Sequence, residues 1–289
     1  MNEFVIVTDS TCDLAQPVVD RIGVTVIPME FSVDDKTYLN YPDERALSSA
    51  AFYNMLRGGA CAKTSQITVR KYMDVFGSIL AQDRDVLYLC FSSALSGSFD
   101  SANVAARELS SSYPLRRVYI VDTRAASLGE GLFVVHAAEK KKDGCTIEEL
   151  RAWAEENRDS YAHWFTVDDL QHLKRGGRIT SASAALGTLL SVKPVLCVDR
   201  LGQLIFKEKA HGRKKALHKL AEKMEASCTE PETQTVFISH ADCAADAEYL
   251  AQLVRSRLPV KDIMIGHTGP VIGSHTGPGM VGLYYRGSK

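Results

Sequence analysis

Three strand-to-helix steps in the first half of the chain constrain the fold most. Apolar runs at residues 4–7, 86–91 and 118–121 each end in a polar turn, after which apolar residues recur at helical spacing. A short apolar run between turn signals is typical of a buried strand, and alternation of such strands with helices favours a parallel sheet covered on both faces. Residues 24–31 are a further strand candidate. The sequence therefore predicts an α/β fold that begins with a Rossmann-like parallel sheet.

The pattern changes near residue 160. Residues 162–167 and 195–198 are two more strand candidates. The turn Asp199-Arg200-Leu201-Gly202-Gln203 follows the second, and residues 204–207 then form the second strand of a hairpin. We therefore predict two domains, a Rossmann-like α/β domain at residues 1–160 and a smaller two-layer α+β domain at residues 161–289. Because no long linker separates them, a ligand is expected in a cleft between the two.

The charge balance argues against a polyanionic partner. The 289 residues include 34 Lys and Arg and 35 Asp and Glu, which gives a formal net charge of −1 at pH 7. No surface for nucleic acid is indicated by bulk charge. The first residues lack the features of a signal peptide, and no apolar run approaches the roughly 20 residues of a membrane span. We expect a cytoplasmic protein without an integral membrane segment, while a transient membrane contact through a local basic patch stays open.

The cysteine and histidine spacing indicates neither disulfides nor a metal. No C-x-x-C pair occurs, so the cysteines suggest small buried apolar residues rather than a disulfide framework or a zinc site. The glycine-rich segment near the end of the chain contains His267 and His275, and no third histidine or carboxylate lies nearby at metal-ligand spacing. The seven cysteines are Cys12, Cys61, Cys90, Cys145, Cys197, Cys228 and Cys243.

Two helix starts carry clustered hydroxyls. One is Ser92-Ser93-Ala94-Leu95-Ser96-Gly97-Ser98, directly after a predicted strand, and the other is Thr64-Ser65, before a helix. The first N–H groups of a helix lack intrahelical partners, and ligands of α/β sheets bind beyond the carboxyl ends of the strands. The two starts could therefore converge on an anionic ligand. The alternative is that Thr64 or Ser65 and the serines merely cap their helices.

Other polar segments leave alternatives open. Gly176-Gly177-Arg178 lacks the spacing of a nucleotide-binding P-loop, so it is a helix stop or a phosphate contact. Asp9 and Ser10 cap a helix or contact a ligand. Arg213 lies in a basic helix start, which indicates either an outside anionic partner or a solvated face. A helix predicted at residues 182–190 carries small apolar residues, which suit ordinary core or a narrow apolar tunnel.

Taken together, the ordered motifs closely resemble the DegV family over nearly the whole chain. The resemblance implies two α/β domains that clasp one long-chain fatty acid, with no cofactor. It also implies a role like that of the FakB subunits, which are not enzymes themselves but present the acid to an ATP-dependent fatty acid kinase. The motifs are Thr8-Asp9-Ser10-Thr11, Thr64-Ser65-Gln66, the serine-rich segment 92–98, Asp168-Asp169-Leu170 with Gly176-Gly177-Arg178-Ile179, Lys193-Pro194, and Gly273-Ser274-His275-Thr276-Gly277-Pro278-Gly279.

The resemblance also assigns roles to individual residues. Arg178 and Arg213 match family arginines that would dock the kinase or meet the transferred phosphate. One departure is Ile67, where family members often carry proline after Thr-Ser-Gln. The ligand carboxylate is expected to contact two side chains and to lie close to three more: Thr64 and Ser96, then Ser65, Ser93 and His275.

Two enzymatic alternatives remain at this stage. An acyl hydrolase would use Ser96 as nucleophile and His275 as base, but the segment around Ser96 is not the G-x-S-x-G elbow, and no orienting acid is evident. A phosphate or sugar-phosphate enzyme would instead use the turn before Arg178. Fatty acid binding is the function that the sequence favours.

Overall fold

The computed structural model describes residues 3–168, 170–179 and 192–288. The strands are Phe4–Asp9 (β1), Thr25–Ile27 (β2), Glu30–Val33 (β3), Lys36–Leu39 (β4), Ala62–Thr64 (β5), Asp85–Cys90 (β6), Val118–Asp122 (β7), Tyr161–Thr166 (β8), Val192–Val198 (β9), Leu204–His211 (β10), Thr235–His240 (β11), Asp262–His267 (β12) and Val281–Arg286 (β13). The α-helices are Gln16–Ile22 (α1), Ser49–Arg57 (α2), Val69–Leu80 (α3), Ser98–Ser112 (α4), Ser127–Lys142 (α5), Ile147–Asn157 (α6), Gln171–Arg175 (α7), Arg213–Ser227 (α8), Ala244–Arg257 (α9) and Pro270–Thr276 (α10).

The first sheet is parallel, as predicted. Its order is β2-β1-β6-β7, and every residue of β1 and β6 is buried. Strands that are covered on both faces consist of continuous apolar runs, and this is why β1 and β6 could be predicted from the sequence. Helices α3 and α4 pack on one face, and α5 packs on the other. The α/β fold class is thereby confirmed.

The strand candidate at residues 24–31 is in fact two strands in two different sheets. β2 ends at Ile27, Pro28 follows, and β3 begins at Glu30. Proline has no N–H to donate to a ladder, so it separates strands within one apolar run. β3 is the middle strand of a small antiparallel sheet, β4-β3-β5, whose last strand ends at Thr64.

The second sheet has six strands in the order β10-β9-β8-β13-β11-β12 and contains the predicted β9–β10 hairpin. All its neighbours are antiparallel except β11 and β12. Helices α8 and α9 cover one face, while α5 packs against β8, β11 and β13 on the other. The change of sheet falls between the end of β7 and the start of β8, and the domain division at residue 160 stays a prediction.

Two buried carboxyl groups lie between β1 and α5. The Thr11 hydroxyl is within hydrogen-bonding distance of Asp9 Oδ1 and lies 2.9 Å from Glu130 Oε2. A hydroxyl has one hydrogen, so one of these carboxyls must itself donate and carry a proton. Asp9 also accepts from the Tyr88 hydroxyl at 2.7 Å and from the Thr11 N–H at 3.0 Å, and such bonds favour the ionised form. Glu130 is therefore the protonated partner.

The electrostatics agree with this assignment. Burial raises the pKa of both carboxyls, and the pKa of Glu130 lies well above its usual value because burial acts first and the charge of Asp9 adds to it. The folded chain thus keeps a proton on Glu130 that the unfolded chain releases. The stability that this group contributes is full below about pH 4.5 and falls as the pH rises.

Glu130→Gln is expected to leave the free energy of unfolding at pH 7 within about 1 kcal/mol of the wild type, since a neutral amide can replace a neutral acid. Asp9→Asn should cost about 2 kcal/mol or more, because an amide donor would face hydroxyl donors. Urea unfolding at pH 5 and pH 8 checks both variants, and Glu130→Gln should also weaken the pH dependence. A larger loss in Glu130→Gln than in Asp9→Asn would reverse the assignment.

Candidate functional site

A narrow slot lies between the carboxyl edge of the first sheet and a face of the second. The side chains at this edge follow β2, β6 and β7, and the opposite wall comes from β8, β9, β10 and β13, with α10 closing a third side. This is where ligands bind in open α/β sheets. Its apolar lining includes Met29, Phe91, Phe165, Val198, Ile272 and Met280.

The shape of the slot suits a thin ligand. The space between its wall atoms is about 710 Å³ including the open mouth, within the roughly 300–1,000 Å³ of small-molecule pockets. The centre of a water molecule can range over only about 70 Å³ of it. The slot can therefore admit a chain of single-carbon width, and a broader ligand would have to displace side chains.

One part of the lining is a polar patch that consists of Thr64, Ser65, Gln66, Ser96, Arg178 and His275. Ser127, His163, Thr276 and Tyr284 also line the slot; the hydroxyls of Ser127 and Thr276 donate to Asp13 and to the Ile272 carbonyl, and that of Tyr284 pairs with Ser239. The segment before α3 is tied to the start of α4 at the patch, because the Ile67 N–H donates to the Ser98 hydroxyl at 3.2 Å and Gln66 Nε2 donates to Ser101 at 3.2 Å. The structure thus brings together Thr64 and Ser96, the two side chains expected from the sequence to contact a ligand.

The hydroxyls of Thr64 and Ser65 do not cap α3. Thr68 is the N-cap, and its hydroxyl accepts from the Lys71 N–H at 3.3 Å, so the capping prediction for Thr64 or Ser65 is wrong. Thr64 instead ends β5. Ser96 does have a local partner, since its oxygen accepts from the Ser98 N–H at 3.2 Å and lies 3.0 Å from the Ser98 hydroxyl.

His275 orients the Thr64 hydroxyl. Its Nε2 lies 2.8 Å from Thr64 Oγ1, and its buried Nδ1 has no hydrogen-bond partner among the described residues. A buried bare acceptor costs less than a buried unpaired N–H, so the hydrogen belongs on Nε2 and is donated to Thr64. The hydrogen of Thr64 is then free to donate to a ligand.

The charge state of His275 supports this arrangement. Burial, and secondarily the nearby Arg178 guanidinium, lower the pKa of His275 to about 4. The ring is therefore neutral at physiological pH, so it can contribute to anion binding through a hydrogen-bond chain but not as a counter-ion.

Arg178 lies in the slot wall. Its Nε donates to the Leu95 carbonyl at 3.1 Å, and a second nitrogen donates to the Gly176 carbonyl. None of the ion pairs within the described ranges includes Arg178. Its charge is thus available to an anion at the polar patch, in addition to the partner role that the sequence suggested.

Arg213 lies elsewhere. It begins α8, where Asp246 at 2.9 Å and Asp168 at 3.9 Å compensate its charge, and it does not line the slot. These acidic neighbours explain how α8 tolerates a basic start. Ser93 is also outside the slot, since it is exposed and its hydroxyl donates to Asp122 at 2.6 Å. The predicted helix at residues 182–190 lies outside the described residues.

Most of the apolar wall was not predicted from the sequence. Its side chains come from the ends of several different strands, so no local sequence pattern identifies them. The rule that parallel strands end at one edge of a sheet could have indicated Met29, Phe91 and Ala126. Within the described part of the chain, no group of three or more His, Cys, Asp or Glu side chains could hold a metal ion. All seven cysteines are free, and no described helix is long and apolar enough to cross a membrane.

The fold and the slot define a class: an α/β protein whose two sheets enclose one narrow pocket, apolar along its walls and polar at one patch. A model of the DegV family, described as a family of uncharacterised proteins, matches residues 3–287. The chain belongs to the DegV family, which confirms the resemblance found in its motifs.

Its relatives match over their full length. A DegV domain-containing protein of Clostridium perfringens is 46% identical over 287 residues, which cover 99% of this chain and 98% of the relative. A fatty-acid-binding DegV family protein from Thermus thermophilus has a TM-score of 0.87 at 35% identity, covering 99% of this chain and 100% of its own. The fatty-acid-binding protein DegV of Bacillus subtilis has a TM-score of 0.85 at 28% identity, with both chains fully covered.

Gly176→Ala tests the packing that holds His275. A Cβ on Gly176 would lie 2.2 Å from His275 Nδ1, so the ring must move. We expect a loss of about 1–3 kcal/mol in unfolding free energy and a rise in the pKa of His275 from about 4 towards its ordinary value as the ring meets water. Urea unfolding and an NMR titration of His275 measure the two effects.

Gly77→Ala is the matched control, because a Cβ there would lie 3.6 Å from Leu109, an ordinary contact inside a helix. It should leave the histidine titration unchanged and stability equal or higher. An unchanged titration in Gly176→Ala would contradict the packing argument.

Proposed function

We propose that this protein binds one long-chain fatty acid in the slot, with the hydrocarbon between the two sheets and the carboxylate at the polar patch. The observation that carries this proposal is a narrow cavity with mostly apolar walls, whose lining brings Thr64, Ser96 and Arg178 together at the polar patch. The fatty acid binding of the relatives from Thermus thermophilus and Bacillus subtilis, which match the whole chain, supports it.

The hydrocarbon tail supplies most of the binding energy. Burial is worth about 0.8 kcal/mol per CH₂, so a chain of roughly 14 to 18 carbons offers more than about 10 kcal/mol before the cost of association. Among the described residues, the walls provide no Lys, Arg, Asp or Glu along the tail that would need to be desolvated, since Arg178 lies in the polar patch. The tail therefore sets affinity, whereas the patch sets orientation.

The polar patch distinguishes a carboxylate from a neutral head group. Thr64 can donate its hydrogen because His275 already donates to its oxygen, and Ser96 can turn its hydrogen from Ser98 to the ligand. Hydrogen bonds from neutral donors to a carboxylate contribute about 1.5–3 kcal/mol each, and Arg178 adds an attractive charge. An alcohol of the same length carries no negative charge, so it would lack most of this binding free energy.

The geometry gives no support to the hydrolase alternative. A serine nucleophile needs a hydrogen bond to its base, yet among the described residues Ser96 bonds to Ser98, and His275 bonds to Thr64. A histidine with a pKa of about 4 is also a weak base at neutral pH.

The bound acid would serve as substrate for a partner. In this proposal the chain presents the carboxylate to a fatty acid kinase, which forms the acyl phosphate, and Arg178 and Arg213 meet the phosphate or dock the kinase. Arg178 supports the first role by its place in the polar patch. Arg213 supports the second because it lies outside the slot, at a helix start with 19% of its side chain exposed.

The double variant Thr64→Val, Ser96→Ala tests the head group. We expect hexadecanoate to bind at least about tenfold more weakly, because each lost hydrogen bond to a carboxylate exceeds about 1.4 kcal/mol. Binding of 1-hexadecanol should change much less. Calorimetric titration with both ligands measures the difference, and mass spectrometry of the denatured, freshly purified wild type identifies any acid that co-purifies.

Ser93→Ala is the matched control, since it removes a hydroxyl from the same serine-rich segment but outside the slot. It should bind both ligands like the wild type. Equal hexadecanoate affinity in the double variant and the wild type would refute the head-group assignment.

Arg213→Ala tests the partner. It should keep hexadecanoate affinity within about twofold, because Arg213 does not line the slot, while it slows acyl-phosphate formation with the kinase about tenfold or more by removing a charged contact. Arg257→Ala, which removes another ion-paired helical arginine, is the control and should leave both unchanged. Loss of lipid binding in Arg213→Ala would show that Arg213 contributes to the pocket. A normal rate of acyl-phosphate formation would show that it does not dock the kinase.

A further inference from the structure

Asp13 connects two walls of the slot from outside it. Its Oδ2 accepts from the Ser127 hydroxyl at 2.6 Å, and its Oδ1 accepts from the Gly269 N–H at 3.0 Å. Ser127 begins α5 and lines the slot, while Gly269 is the N-cap of α10, which carries the lining residues Val271, Ile272 and His275. Asp13 does not line the slot itself.

The contact between Asp13 and α10 is built closely. A Cβ at residue 269 would lie 2.8 Å from Asp13 Oδ1, so only glycine lets the α10 backbone approach the carboxylate this far. Asp13 itself is in the left-handed region with φ 54°, a conformation in which aspartate is tolerated better than most residues. Its neighbours in the same turn also reach the slot wall, since the Ser10 hydroxyl accepts from the Met29 N–H at 3.0 Å.

The opposite side of Asp13 faces a second cavity. This cavity is lined by Asp13, Asn40, Glu44 and His267, among others, and it is separate from the slot. The titratable groups that surround Asp13 from the described elements packed against it are Asp9, Cys12, Tyr41, Glu44, Tyr53, Glu130, His267 and Tyr284. No lysine or arginine is among these neighbours.

We propose that Asp13 is a positioning residue for the ligand, holding the starts of α5 and α10 together, and that its charge controls how readily the slot opens between them. This inference rests on the proposed function. It gives a role to the turn after β1, which the binding of a head group does not use.

The sign of the pH effect follows from linkage. Burial raises the pKa of Asp13 to about 7, against the opposing hydrogen bonds from Ser127 and Gly269. An opening that exposes the carboxyl to water lowers this pKa, and the state with the lower pKa is favoured as the pH rises. The slot should therefore open more readily at pH 8 than at pH 6, by up to about tenfold.

Two substitutions separate contact from charge. Asp13→Asn keeps an acceptor for Gly269 and a polar partner for Ser127 but stays neutral, so release should be slow and independent of pH. Asp13→Ala removes both contacts, so release should be fast and independent of pH. Asp83→Asn is the matched control, since Asp83 has a similar φ of 56° and is exposed in a distant turn. His267→Gln controls for the histidine in the second cavity, and both controls should keep the wild-type profile.

The first readout needs no ligand. Hydrogen exchange of the α10 amides, corrected for the intrinsic pH dependence, should show up to tenfold less protection in the wild type at pH 8 than at pH 6, with a flat profile in Asp13→Asn. The second readout is transfer of radiolabelled 1-hexadecanol to phosphatidylcholine vesicles over the same pH range, because this ligand does not titrate.

The outcomes are distinct. A flat wild-type exchange profile, or an Asp13→Asn profile like that of the wild type, would overturn the proposal even if Asp13→Ala failed to fold. A wild type that binds neither hexadecanoate nor 1-hexadecanol would refute the proposed function instead, while hydrogen exchange still decides whether Asp13 controls α10.

Discussion

The burial of α5 on both sides is the packing constraint on which the rest of the structure depends. One side contacts the first sheet and the turn after β1, and the other contacts β8, β11 and β13 of the second sheet. Two glycines make this close double contact feasible. A Cβ on Gly129 would lie 1.8 Å from the His163 ring, and one on Gly131 would lie 2.6 Å from the Cys12 carbonyl. Between them, the neutral Glu130 bonds to Thr8 and Thr11 without burying a second negative charge beside Asp9.

The place of the slot follows from this packing. Where α5 lies between the sheets, it fills the space, and the cavity begins at its N-terminus, at Ala126 and Ser127, where the parallel strands have ended. The walls there come from strand ends and from α10 and are mostly apolar, and their hydroxyls, those of Ser127, Thr276 and Tyr284, are bonded to neighbouring protein groups. The hydroxyls of Thr64 and Ser96 come instead from the segments before α3 and α4. The separation of tail and head contacts in the proposed function would thus be a consequence of topology.

Much of this could be predicted from sequence, and the exceptions have physical reasons. The parallel sheet was visible because doubly buried strands are continuously apolar, and Thr64 and Ser96 could be paired because each belongs to a cluster of hydroxyls before a helix. Ser93 was not distinguishable from Ser96, since which serine of a turn faces inward depends on the turn's geometry. The bonds of Asp13 join residues 114 and 256 positions apart, and no local pattern reports such contacts.

The electrostatics of the site follow from the same arrangement. Neutral His275 and neutral Glu130 are two sites at which burial removes the charge of a group that has no partner of opposite sign. The Arg178 guanidinium lies in the slot wall with backbone carbonyls as its hydrogen-bond partners, and it has no ion-pair partner among the described residues. In the proposed function, a carboxylate would pair with this cation and accept from the Thr64 hydroxyl at once. A neutral lipid would fill the same walls without an ion pair to Arg178, so the proposed preference for an acid would arise from the charge of its head group.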